Sequence, residues 1–151
     1  MTARRQFLLL LAAALSWGSP ALAQAPVERP TRIGLLRASP TPDRSLDALR
    51  QGLAAHGYVE GERFIFVRGF GDGDTRRLPD LAASLMATGV DLIVTEGLVV
   101  AQAARSTTAT IPIVMATSPD PQRAGLIASL SRPGGNVTGL SSQADEASGK
   151  L

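Results

Sequence analysis

The sequence has no cysteine, one histidine and few aromatic side chains. Without cysteine there is no disulfide, no thiolate nucleophile and no cysteine-linked lipid anchor. The lone histidine, His56, stands just before Gly57 at the end of a helical pattern, where a helix dipole favours it as a cap rather than as a catalytic base. Trp17 lies in the leader, and Tyr58, Phe64, Phe66 and Phe70 gather around one strand, so aromatic stacking on a ligand is scarce. No apolar run reaches the ~20 residues of a membrane span. The longest, residues 7–15, holds nine.

That run identifies the leader instead. Arg4 and Arg5 precede it, and Ala21-Leu22-Ala23 follows as a small-x-small cleavage site before Gln24. Residues 1–23 therefore read as a secretory signal peptide. RRQFL also resembles the twin-arginine export pattern, although the long Leu/Ala stretch suits the general secretory route. The chain carries 15 Lys+Arg against 13 Asp+Glu. Cleavage would remove Arg4 and Arg5 and no acid, so the mature chain is neutral. No basic cluster survives beyond Arg76-Arg77, which excludes the electrostatic footprint of a nucleic-acid binder.

The remaining 128 residues suffice for one domain with a core. Residues 24–30 read as a disordered lead-in. Strands are then predicted at 32–36 (RIGLL), 63–67 (RFIFV), 91–95 (DLIVT), 111–116 (IPIVMA) and 137–140 (VTGL). Helical patterns alternate with them. The first has Thr41 as N-cap, Pro42 in its first turn and Gly57 as its terminator. In the second, Leu78, Leu81, Ala82, Leu85 and Met86 share a face, with a start blurred by Pro79. GLVVAQAARSTT reads as a largely buried third helix and QRAGLIASL as a short fourth. Strand-helix alternation predicts an α/β fold, a doubly wound parallel five-stranded sheet in the order 2-1-3-4-5.

In such a sheet a ligand binds beyond the carboxyl ends of the strands, near the point where strand order reverses. This selects the loops at 37–42, 96–99, 117–122 and 141–143. They supply Ser39, Thr41, Glu96, Gly97, Thr117, Ser118, Asp120 and Ser141 as candidate ligand-binding residues. Short hydroxyls and two acids beside helix N-termini can hold a small polar molecule by hydrogen bonds. Each one alone is also explained by turn or cap chemistry.

Catalytic patterns are thin. A Ser-His-Asp arrangement would need His56 at the carboxyl edge, whereas the end of a crossover helix lies at the opposite edge. GFGDG, residues 69–73, lacks the spacing and the following acid of a dinucleotide loop. Asp72 and Asp74 do not make a calcium loop, so neither metal nor cofactor is expected. Asn136-Val137-Thr138 fits a glycosylation sequon, but turn-to-strand geometry accounts for it better.

GLAAHGYVEGERF, RLPDLAASLMATGVDLIVTEG and IPIVMATSPDPQRAGLIASLSRPGGNVTGLS resemble the substrate-binding proteins of ABC importers. The subgroup has a periplasmic-binding type 1 fold and is often linked to tryptophan or tyrosine uptake. The resemblance covers residues 32–151. It implies two α/β lobes on a hinge with a small-molecule solute between them, a periplasmic or secreted location, and an ABC permease of the inner membrane as partner. On that reading residues 31–141 are the first lobe, and 142–151 begin the crossover to a second lobe beyond a truncated end. Leu98 lacks the hydroxyl that the resemblance implies there, and Gln122-Arg123 replaces a small apolar pair. Three other readings compete with it. An exported enzyme of flavodoxin-like fold lacks a cofactor loop in RASPTP. A regulator's effector domain lacks a helix-turn-helix. A gene remnant would show a stop codon directly after Leu151.

Overall fold

The computed structural model describes residues 29–39 and 44–142. The signal-peptide reading, Thr41 and the crossover after Ser142 lie outside these. The order is β1 (Thr31–Arg37), α1 (Arg44–Ala55), β2 (Phe64–Phe70), α2 (Leu78–Ala87), β3 (Leu92–Glu96), α3 (Leu98–Thr107), β4 (Ile113–Pro119) and β5 (Val137–Ser142). The strands form one sheet in the order β2-β1-β3-β4-β5, with every pairing parallel, as the alternation predicts.

Apolar side chains leave β1 on both faces, which is why RIGLL shows no alternation. Ile33 and Leu35 pack with Leu46 of α1 and Phe64 of β2 on one side. Leu36 joins Ile93, Ile113, Met115 and Val137 on the other, beneath Leu78, Ala82 and Leu85 of α2 and Val100, Ala101 and Ala104 of α3. That second layer is the main core. At ~25 cal/mol per Å² of apolar area removed from water, it dominates the stabilisation of the sheet.

Local signals account for the helix ends. α1 closes at Gly57: the Gly57 N–H donates to Ala54 O (2.9 Å) and the Tyr58 N–H to Leu53 O (2.9 Å). His56 is exposed there, at the amino edge of the sheet. A single 3₁₀ turn, Thr75–Arg77, leads into α2 and is capped by the Asp74 side chain, which accepts from Arg76 N. Pro79 falls in the first turn of α2, where its missing N–H costs nothing. α3 buries one face only, and Val99 on the other is exposed, so it is less enclosed than its composition suggests.

The expected helix in QRAGLIASL is a correction. Residues 121–130 form turns, not a helix. Gly125 (φ 71) ends the first turn at once, as its N–H donates to Gln122 O and that of Leu126 to Pro121 O. Leu126 and Ile127 still enter the main core, so a collapsed turn does the packing of a helix.

Asn136 is also decided. Its side-chain amide donates to Ile111 O (2.8 Å) and Thr108 O (3.3 Å), tying the end of the β4–β5 connection to the loop before β4. Turn-to-strand geometry, not exposure for a sugar, describes this residue.

Candidate functional site

All five strands end at one edge; of the described candidates, Glu96, Thr117, Ser118 and Ser141 belong to the last residues of β3, β4 and β5 rather than to the loops expected for them, and Ser39, Gly97 and Asp120 follow strand ends. Ser39 lies just past β1. Glu96 is the last residue of β3, and Gly97 caps α3 in a φ 92, ψ 155 conformation that a β carbon would strain. The Gly97 N–H donates to Thr117 O (3.0 Å), which draws the β3 and β4 ends together. Ser118 of β4 stands opposite Ser141 of β5.

The side chains differ in what they can offer. Thr117 is exposed and Ser141 half-buried. Ser118 is fully buried, with Oγ 3.4 Å from Pro119 O, and is set apart from solvent. Asp120 (φ 33) holds its own turn: Oδ1 accepts from Arg123 N (3.0 Å) and Oδ2 pairs with Arg123 Nε (3.0 Å). Glu96 Oε2 lies 2.7 Å from Nη2 of Arg37, the last residue of β1. Among the described residues no group of three or more His, Cys, Asp or Glu could hold a metal ion.

Beside this rim an open groove of about 640 Å³ runs down the α1 side of the sheet. Its floor is a row in register across four strands: Leu35 against Val94, Val94 against Val114, and Val114 against Thr138. Leu46 and Leu49 of α1 form one wall, and Arg37 and Glu96 stand at its head. Sequence reasoning names Glu96 for this edge and does not single out Arg37 or the apolar floor. The available signal was an arginine closing an otherwise apolar strand.

The ABC transporter substrate binding protein family matches residues 37–148. The chain belongs to that family. A tyrosine-binding protein of Clostridioides difficile is 33% identical over 109 residues, which are 72% of this chain and 32% of that protein. The structure of an ABC domain in complex with L-Trp from Streptococcus pneumoniae superimposes with a TM-score of 0.68 at 33% identity, covering 75% of this chain and 39% of that one. An open, ligand-free substrate-binding protein with adhesive properties from Clostridium difficile gives 0.68 at 29% identity, covering 74% and 38%. This family member therefore spans 32–39% of the length of these relatives. The sheet order is that of a single lobe of their type 1 periplasmic-binding fold, and the family binds solutes rather than transforming them.

Proposed function

We propose that this chain forms one lobe of the extracytoplasmic solute receptor of an ABC importer, for an amino acid or similar small polar solute. Residues 1–23 serve as the export signal, residues 31–141 as the lobe and 142–151 as the start of a connection to a second lobe. The receptor delivers its solute to a membrane permease. The observation that carries this reading is the convergence of four strand ends on one rim, where the Gly97–Thr117 bond brings β3 and β4 together beside an open groove. We assign Ser39, Thr41, Glu96, Gly97, Thr117, Ser118, Asp120 and Ser141 to that site; Glu96, Thr117, Ser118 and Ser141 are residues of the strand ends, and Ser39, Gly97 and Asp120 follow strands. Thr117 and Ser141 offer hydroxyls to solvent there, and Glu96 offers a carboxylate. The tyrosine and L-Trp of the two relatives support an amino-acid solute.

Saturation-transfer NMR tests the reading. Leucine, tyrosine and tryptophan are expected to receive magnetisation from the protein, while flavin mononucleotide, the probe for a flavodoxin-like enzyme, is not. Transfer to the flavin alone would contradict it.

A further inference from the structure

We propose that β5 is the docking edge for a second copy of this chain, the two β5 strands pairing antiparallel about a two-fold axis with Leu140 beside its counterpart. This self-association is independent of the solute-binding reading.

β5 closes the sheet on one side. β4 pairs along its inner side, and among the described residues no strand pairs along its outer side. The row of backbone N–H and C=O groups on such an edge is a template for a further strand. The opposite edge of the sheet is guarded. β2 carries Arg68, which is exposed, and a charge on an edge strand opposes pairing with another chain. β5, with the sequence VTGLSS, carries neither charge nor proline.

The side chains extend the patch. Leu140 is 70% exposed, and on the α1 side of the sheet it lines the open groove with Thr138 and Val114. β4 (IVMATSP) has no charged residue either, so the edge and its flank are uncharged together. A lone exposed leucine is ordinary on a protein surface. On an unguarded sheet edge it marks a place where a second strand can settle.

The absence of charge also names the occupant. A two-fold contact sets a patch against itself, so a charge near the axis would face its like. β4 and β5 bring none. A partner attracted by charge would find nothing there to pair with, whereas a second copy meets no repulsion. Residues 24–151 also carry as many bases as acids, so no net charge keeps two copies apart. Pairing centred on Leu140 sets Thr138 against the partner's Ser142 and Gly139 against the partner's Ser141. These are small residues, and the two leucines at the centre form an apolar cross-strand pair. A strand of six residues covers less than the about 800 Å² per partner of a stable complex. The dimer is therefore weak, with a dissociation constant on the order of 0.1 mM.

The test is sedimentation velocity on residues 24–151, which retain every described residue. The parent is expected to pass from monomer to dimer between about 10 μM and 1 mM. Leu140→Lys and Leu140→Glu should each stay monomeric, because like charges would then face one another across the axis. An equimolar mixture of the two should dimerise again, because ammonium then faces carboxylate. Tyr58→Lys, which alters a half-exposed ring at the amino edge, should associate as the parent does. A parent that is monomeric throughout, charged variants that associate as the parent does, or a mixture that stays monomeric would overturn the inference. Should either charged variant fail to fold by circular dichroism, Leu140→Thr decides: it is expected to weaken association several-fold, and unchanged association would overturn the inference.

Discussion

Gly139 of β5 passes Met115 of β4 with no room for a side chain. A β carbon at 139 would lie 2.6 Å from Met115 N and closer still to Met115 O, and the residue's φ is 140. The β4–β5 register shifts between Met115 and Ser118, directly beyond this contact. Gly139→Ala must therefore push the edge strand away from the core. We expect a loss of about 2–4 kcal/mol in urea unfolding. Gly52, in the exposed middle of α1 with nothing near its would-be side chain, is the control: Gly52→Ala should gain roughly 0.5–1 kcal/mol. A neutral Gly139→Ala would mean that β5 is held less closely than described.

Asn136 gives a second test. Both of its side-chain bonds are donations to carbonyl oxygens, and an ionised carboxylate can only accept. Asn136→Asp keeps the shape and turns two attractions into repulsions. Denaturant unfolding at neutral pH should show a loss of about 1–3 kcal/mol, shrinking as the new carboxyl is protonated. A variant as stable as the parent would contradict the tie between the two loops.

At the amino edge Asp91 receives both Nη atoms of Arg29 (2.9 and 2.6 Å) and the Arg32 N–H (2.8 Å). The Arg29 hydrogen bonds, then the Arg32 amide, hold its carboxyl below the usual range. A carboxyl depressed on folding contributes stability that is complete above its unfolded pKa, about 3.9, and is lost as pH falls through the lower folded value. Melting temperature should therefore fall below about pH 4 in the parent and fall less in Asp91→Asn. Identical acid limbs would refute the role given to Asp91. The effect should be modest and weakened by salt, because the pair is partly exposed.

On the proposed reading, residues 29–142 supply one wall of a site, and small-molecule sites usually enclose ~70–90% of their ligand. Closure of one lobe on another is what traps a solute in a hinged receptor. Isothermal titration of the 151-residue polypeptide with amino acids should show affinities well weaker than micromolar. Micromolar binding would contradict the one-wall account.

Much of this fold was legible in the sequence, for physical reasons that differ by element. Short β-branched runs such as DLIVT and IPIVMA announce strands enclosed by helices, and strand-helix alternation leaves few topologies. Gly57 was readable as a terminator because α1's apolar pattern stops there. QRAGLIASL has the apolar spacing of a helix, yet Gly125 ends its first turn; burial of Leu126 and Ile127 needs only that turn. In the candidate site, residue type located the loops but not the direction of side chains. Ser118 and Thr117 are neighbours in a strand and so face opposite ways, one buried and one exposed. The predicted order already sets β1 beside β3, but the Arg37–Glu96 pair depends also on the register that matches Leu36 with Thr95, which strand order alone does not fix.

The central claim is that solute is held at the carboxyl edge of the sheet, and amide shift mapping during a leucine titration tests it most directly. The account predicts that the perturbed amides fall at residues 37–39, 95–99, 117–120 and 141–142. Perturbations confined to the amino edge, around residues 56–63 and 91, would contradict it.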